Sequence, residues 1–231
     1  MESSIDNETI DSKYIIIKRK GYGATGDVYL VKDTETNIEY AAKVFVSGYS
    51  CFNNEVAILN LLKEDKIARQ YIVNIFSSGE GIVVTKYFPP AKKKYIILDY
   101  ISKGDLVDYI HYPHRGFCEL HSKYIFSKIL EAVENIHKAG ICHRDLKLSN
   151  ILVDNNFDFK ICDFCFATKN DHLLEEYLGT ENHAAPEMFR KKPYNGFKAD
   201  IFSLGVILFY LNTGKYGFEN ASLLNKKYIY F

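Results

Sequence analysis

The sequence predicts an α+β fold in two parts, a small antiparallel sheet followed by a mainly helical region. Three observations carry that prediction. Up to about residue 100, short runs rich in β-branched and aromatic residues alternate with turns rich in Gly, Asp, Thr and Asn. Within that region one stretch, 53–64, switches to helical spacing. Beyond it, apolar residues recur at helical spacing over 122–139 and run together over 201–211.

Taken in order, 14–17, 28–31 and 40–46 read as three strands of a meander. The helix at 53–64 lays Val56, Leu59 and either Leu62 or Lys63 along one face. Strand character returns at 71–75, 82–85 and 95–100, so that about five strands accompany one helix. Residues 122–139 place Ile125, Ile129, Val133 and Ile136 on one helical face, with Lys123, Lys128, Glu131, Asn135 and Lys138 elsewhere and Gly140 as a stop. The run 201–211, interrupted by Ser203 and Gly205, is about half the ~20 residues a bilayer span needs and reads as a buried helix. The division expected is a polar tail at 1–12, a first lobe at 13–98 and a second at 99–231, with a cleft between the lobes.

Composition narrows the function classes. A chain of 231 residues with 47% hydrophobic content builds a core without disulfides or metals. Twenty-nine basic residues balance twenty-nine acidic ones, so neither a nucleic-acid partner nor a membrane surface is expected. Five cysteines, Cys51, Cys118, Cys142, Cys162 and Cys165, match no metal-binding or redox spacing and are expected as free thiols in the cytoplasm or nucleus. Residues 1–13 are polar and acidic, without the features of an export signal.

Gly21, Gly23 and Gly26, followed by Val28, place three glycines where a backbone can approach phosphates. A strand follows the third glycine where a dinucleotide-binding turn would start a helix, so the loop reads as a hairpin lid; ordinary turn glycines are the alternative. Lys43 follows Ala41 and Ala42 inside the third strand, and Glu55 lies near the start of the first helix, at a spacing that allows an ion pair. Each alone also reads as a solvated surface charge.

The segment His143, Arg144, Asp145, Leu146, Lys147, Leu148, Ser149, Asn150 is far more specific: it resembles the catalytic loop H-R-D-L-K-x-x-N of protein kinases. Asp163, Phe164 and Cys165 then occupy the D-F-G position, and Ala185, Pro186 and Glu187 match A-P-E. These anchors stand in family order with the glycine loop, Lys43 and Glu55 over residues 14 to about 212. The resemblance implies a bilobal protein kinase-like fold with an incomplete second lobe, and a serine/threonine kinase that uses ATP and magnesium on a protein hydroxyl. The alternative is a pseudokinase that binds nucleotide or acts as a scaffold without turnover. Gly179, Thr180 and Glu181, with the run from Asp200 to Gly205, are most similar to the calcium/calmodulin-dependent group.

Carried over position by position, the resemblance gives Asp145 the substrate hydroxyl, and Asn150 and Asp163 the magnesium. Lys43, held by Glu55, takes the phosphates. Val28, Ala41 and Leu152 sandwich adenine, Leu98 is the gatekeeper, Asp99 to Ile101 the hinge, and Asp105 a ribose contact. Leu59, Ile75, His143 and Phe164 form a stacked spine, and Asp200 braces the catalytic loop. Lys147 and Thr180 are the marks of serine/threonine preference. Glu176, four residues before Thr180 where relatives carry an activating phosphothreonine, is expected to give Arg144 a permanent negative partner.

Two departures and two decoys complete the reading. Cys165 replaces a glycine and is expected to strain the backbone beside Asp163. The chain ends soon after the buried helix, so Ile201, Phe202, Ile207 and Phe209 are expected to be under-covered and Glu187 unpartnered, with a dimer or chaperone contact at that face. Residues 154–158 begin like a calcium loop, but Phe159 stands at the turn glycine and Cys165 at the bidentate glutamate, so a turn between two strands is expected. His111 and His114 flank Pro113 and read as loop residues.

Overall fold

A computed structural model describes residues 8–46, 51–110, 115–169, 172–190 and 192–218. The chain divides into two units, Met1–Asn60 with Val73–Tyr100 and Leu61–Ile72 with Ile101–Phe231.

In the first unit, six antiparallel strands close into a barrel: β1 (Thr9–Ile10), β2 (Tyr14–Tyr22), β3 (Gly26–Asp33), β4 (Glu39–Phe45), β5 (Ile75–Val84) and β6 (Ala91–Asp99), in the order β1-β2-β3-β4-β6-β5. β1 makes the closure, because Thr9 pairs with Ile15 on one side and Val84 on the other. Thr9 and Ile10 thus belong to the sheet although they fall within the polar tail expected at 1–12. Two residues with one apolar side chain give no periodic signal, yet Ile10 is fully buried and Asp11 continues the join, its N–H donating to Ile82 O at 2.8 Å. Closing the sheet removes two edges that would otherwise carry unpaired N–H and C=O groups.

Alternation along the strands fills the barrel with Ile16, Tyr29, Val31, Ala42, Val44 and Ile97, among others. β5 starts at Ile75, later than the expected 71, and after a register shift between Ile75 and Ser77 continues through Ser78 and Gly79, which lie outside the expected strands. Pairing with β6 supplies the hydrogen bonds that this polar stretch needs. Helix α1 (Cys51–Glu64) buries Glu55, Ile58, Leu59 and Leu62, so Ile58 takes the place expected for Val56, and Leu62, not Lys63, ends the stripe.

The second unit is built on α2 (Glu119–Lys138) and α3 (Gly196–Thr213), with the short strand pairs β7 (Ile141–Cys142) with β10 (Thr168–Lys169), and β8 (Ile151–Val153) with β9 (Phe159–Ile161). α2 buries Ile125, Ile129, Val133 and Ile136 as the spacing predicts. Gly140, at φ 81°, turns the chain into β7. α3 is capped by the Asn195 side chain, which accepts from Lys198 N at 3.1 Å, and stopped by left-handed Gly214. Among the described residues no helix is long and apolar enough to cross a membrane.

Of the four α3 residues expected to be under-covered, Ile201 is 57% exposed and Phe202 and Phe209 are half-buried, whereas Ile207 is fully buried, which corrects that expectation. Cys118, Cys142 and Cys162 are free thiols. Cys51 and Cys165 are not among the free thiols, contrary to the expectation of five.

Candidate active site

In the first unit, the three glycines of the β2–β3 hairpin have different causes. A side chain at Gly26 would run into the Val44 carbonyl, so the approach of β3 to β4 demands glycine there. At Gly21 an added Cβ meets nothing within 4 Å, and at Gly23 the nearest atom is 3.8 Å away. Packing within the chain does not require these two; Gly21 follows a break in the β2–β3 register, and both leave the hairpin backbone uncovered by side chains.

Register places the remaining candidates of this unit on one surface. Val28 pairs with Lys43, and Ala41 with Leu98. Residues directly opposite in an antiparallel pair, and residues two apart along a strand, share a face. Because Ala42 and Val44 fill the barrel, Val28, Ala41, Lys43 and Leu98 lie on its outer face. There Lys43 is 5% exposed and its Nζ donates to Glu55 Oε2 at 2.6 Å. A buried ion pair of this kind stands only while both charges are present. Asp99 is exposed, and Asn74 Nδ2 donates to its carboxylate at 3.2 Å.

In the second unit, the segment 143–150 is organised from below by Asp200, which is fully buried on α3. Its carboxylate accepts from His143 N and Arg144 N, each at 2.8 Å, and lies 2.8 Å from His137 Nε2. These bonds hold Arg144 at φ 65°, a left-handed conformation that costs a non-glycine residue about 1–3 kcal/mol. Asp145 N donates to His143 Nδ1, which leaves the ring proton on Nε2 to donate to Cys162 O at 3.0 Å. The His143 and Phe164 rings meet edge to face at 4.9 Å, the part of the expected spine that lies in this unit. Leu59 and Ile75 are buried in the other.

Asp145, 4% exposed, accepts Thr180 Oγ1 on Oδ1 at 2.7 Å and Lys147 Nζ on Oδ2 at 2.8 Å. Lys147 Nζ also reaches Thr180 Oγ1 at 2.9 Å, closing a triangle. Gly179 makes the approach possible: it sits at φ 102°, and a Cβ there would press on Arg144 O at 2.5 Å. Arg144, 7% exposed, donates from Nε to Phe166 O at 2.6 Å and from NH1 to Glu176 Oε2 at 3.2 Å. Glu176 is held by its backbone as well, since Tyr194 OH donates to its carbonyl at 2.8 Å.

The residues expected at the metal suit a hard cation. Asn150 commits its amide nitrogen to Asp145 O at 2.8 Å and to Oδ2 at 3.3 Å, while its Oδ1 has no hydrogen-bond partner among the described residues. Cys162 N donates to Asn150 O at 3.0 Å, which ties the strand end carrying Asp163 to the same loop. Carbonyl and carboxylate oxygens are what magnesium takes. Left-handed strain falls on Asp163 itself, at φ 63°. Cys165 is buried without a positive φ, so the strain expected from replacing glycine there is absent.

Asp105 caps the 3-10 turn Leu106–Tyr109, accepting Val107 N at 2.8 Å and Asp108 N at 3.4 Å on Oδ1 alone. Burial, with Asp108 beside it, pushes its carboxyl above the usual range. Leu152 bridges to Asp105, and Ile101 is half-buried in the same unit. In the calcium-like stretch, Asp154 Oδ1 accepts Asn156 N at 2.8 Å and Asp158 N at 3.0 Å, an Asx turn joining β8 to β9 as expected. His111 and His114 lie outside the described residues. Glu187 has no ion pair among the described residues.

Three contributors gave no signal in the sequence. His137 is a polar residue in the last turn of α2 until tertiary structure brings Asp200 to it. Tyr194 sits in an unpatterned loop. His183, 2% exposed, has Nδ1 at 2.8 Å from Asn182 Oδ1 but no partner for Nε2, and burial pushes its pKa down to about 4.

The comparisons agree with this geometry. The protein kinase domain model matches residues 14–229. The mitosis inducer protein kinase cdr1 of Schizosaccharomyces pombe is 34% identical over 215 residues, 91% of this chain and 34% of its own length. NUAK family SNF1-like kinase 1 of Homo sapiens is 33% identical over 190 residues, 76% of this chain and 29% of its own. CBL-interacting serine/threonine-protein kinase 14 of Arabidopsis thaliana is 33% identical over 226 residues, 92% of this chain and 47% of its own. The chain thus spans about a third of the yeast and human relatives and under half of the plant one. With a braced Asp145, an adjacent Asn150 and a family model that runs almost the whole length, the chain belongs to the protein kinase domain family.

Proposed function

We propose that the chain transfers the terminal phosphoryl group of ATP to a serine or threonine hydroxyl of a protein substrate. The observation that carries this reading is the triangle of Asp145, Lys147 and Thr180, which aims a buried carboxylate and holds a lysine cation beside it. Phosphoryl transfer needs little covalent chemistry from the protein, so positioning and charge supply most of the rate. Asp145 orients the attacking hydroxyl and accepts its proton, and Lys147 offsets charge on the transferred group. Lys43, kept in place by Glu55, and the backbone at Gly21 and Gly23 take the phosphates. Val28, Ala41, Leu98, Asp99, Ile101, Asp105 and Leu152 take the adenosine. Asn150 and Asp163 hold magnesium, which neutralises phosphate charge when bound. The plant relative's name, a serine/threonine-protein kinase, supports the choice of hydroxyl.

The Arg144–Glu176 pair supports a second element of the reading: a carboxylate built into the sequence supplies the charge that would otherwise come from a phosphate, so the segment before Thr180 is ordered without modification. A kinase fold that binds nucleotide without turnover is the competing reading, favoured by Cys165 at the glycine position of D-F-G. Labelled ATP with a generic serine/threonine substrate separates the two, with Lys43→Met and Asp145→Asn as controls. Transfer that both substitutions abolish supports the active kinase. Thermal stabilisation by ATP without transfer supports the binding module.

A further inference from the structure

A cavity of about 290 Å³ lies in the second unit, between the 3-10 turn Leu106–Tyr109, α2 and the β8–β9 hairpin. It shares none of the residues assigned above to phosphoryl transfer. Six rings line it, those of Tyr109, Phe117, His121, Tyr124, Phe157 and Phe159, and no lining residue is Asp, Glu, Lys or Arg. Two of its polar groups are already engaged: Tyr109 OH donates to Lys103 O at 3.1 Å, and His121 Nδ1 lies 3.4 Å from Cys118 Sγ. What faces the space is therefore largely carbon and ring edges.

The hairpin wall has an unexpected feature. Phe157 stands at φ 60°, a left-handed position that a bulky side chain disfavours and that Gly or Asn fills with less strain, and the residue is 55% exposed. Lys103 Nζ lies 4.7 Å from the centroid of that ring. Within the chain this strained ring has the Lys103 contact, yet more than half of the residue stays in solvent. A ring at that position does gain its contacts once an aromatic guest fills the space beside it.

We propose that this cavity is a binding site for a compact, uncharged aromatic molecule. Its volume is about twice the ~150 Å³ that takes one benzene, which sets the guest at roughly two fused rings. An ionised guest is excluded because the lining offers no countercharge, and burying an unpaired charge is costly. Edge-to-face and offset contacts with the surrounding rings give the selectivity for aromatic over aliphatic guests.

Indole is the probe, because the chain contains no tryptophan and indole emission is read free of protein background. The whole chain is titrated with indole while iodoacetamide alkylation of Cys118 is followed by peptide mass spectrometry, with Cys162 as the internal reference thiol. The expected result is a saturable blue shift with Kd on the order of 1 mM or tighter. At twice Kd, alkylation of Cys118 is expected to slow about threefold by mass action while Cys162 is unchanged. Phe157→Gly and Phe157→Asn relieve the left-handed strain, so both keep or raise the melting temperature while abolishing the blue shift and the protection. Absence of saturable binding, binding that leaves Cys118 unprotected, or equal affinity in either folded Phe157 variant overturns the proposal.

Discussion

Thr180 Oγ1 donates to Asp145 Oδ1 at 2.7 Å across thirty-five residues of sequence, and the same hydroxyl accepts from Lys147 Nζ at 2.9 Å. One hydroxyl thus fixes the carboxylate and the lysine together. A hydrogen bond to a charged group is worth about 1.5–3 kcal/mol, so Thr180→Val, which keeps shape and removes the hydroxyl, lowers kcat by about 10- to 100-fold. KM for ATP stays within about twofold, because the nucleotide contacts proposed do not involve Thr180. Thr180→Ser retains most of the rate. Steady-state kinetics on the three proteins decide it, and an unaltered kcat in Thr180→Val removes the triangle from the mechanism.

The Lys43–Glu55 pair separates stability from activity. Glu55 is 1% exposed and Lys43 5%, so removing one partner leaves the other charge buried without this ion pair. Lys43→Met is expected to cost about 3–5 kcal/mol, whereas Lys43→Met with Glu55→Leu recovers most of that loss, because apolar residues pack where a buried ion pair stood. Neither protein transfers phosphate. Urea midpoints alongside a transfer assay test both halves, and a double variant no more stable than the single one contradicts the first.

The parts of this molecule that were legible in the sequence are those whose cause is local. Helical spacing in α2 gives Ile125, Ile129, Val133 and Ile136 directly, because one face of one helix decides their burial. The chemistry-bearing residues of 143–150 and Asp163 stand at fixed spacings in a short segment. β1 was hidden because two residues have no period, and their strand exists only through partners at Ile15 and Val84. His137 and Tyr194 were hidden for the same reason, as their partners Asp200 and Glu176 lie far along the chain, and His183 because its burial is set by tertiary packing. The strain expected at Cys165 was misplaced by two residues, since the backbone takes its left-handed step at Asp163.

Asp200 is the residue on which the segment around Asp145 rests. It is fully buried and accepts two backbone N–H groups, with His137 Nε2 as a third neighbour. Asp200→Ala leaves those two N–H donors buried and unpaired at about 1–3 kcal/mol each, a loss of roughly 2–6 kcal/mol in total. Asp200→Asn offers one oxygen in place of two and falls between. Denaturant unfolding of the three proteins orders them, and an Asp200→Ala protein within about 1 kcal/mol of the parent shows that the loop stands without the brace.

Glu176 differs from Asp200 in being mostly exposed, with 71% of its side chain in solvent while its partner Arg144 has 5%. Its contribution to overall stability is small for that reason. The effect is expected in the rate instead: Glu176→Ala lowers kcat about three- to tenfold, and Glu176→Gln does so nearly as much because charge is what Arg144 requires. Raising ionic strength narrows the gap between parent and variants, since an exposed charge is screened. Transfer assays at low and high salt measure this, and equal rates at low salt dismiss the built-in charge.

His183 makes stability depend on pH in a predictable direction. Burial, reinforced by the Lys147 cation and opposed by Asp145, pushes its pKa from 6.5 down to about 4. The unfolded chain therefore binds a proton here at a pH where the folded chain does not. Stability attributable to the neutral ring is present above pH 6.5 and is lost as pH falls towards 4, by about 3 kcal/mol when both states are protonated. His183→Phe keeps a ring against Tyr216, whose centroid lies 5.2 Å from that of His183, and removes the titrating group and its unpaired Nε2. Its stability at pH 7 is expected to equal or exceed the parent's, with a shallower decline towards pH 4. Urea unfolding of both proteins at pH 7, 5.5 and 4.5 reads the difference directly, and parallel pH profiles mean that other groups carry the acid sensitivity.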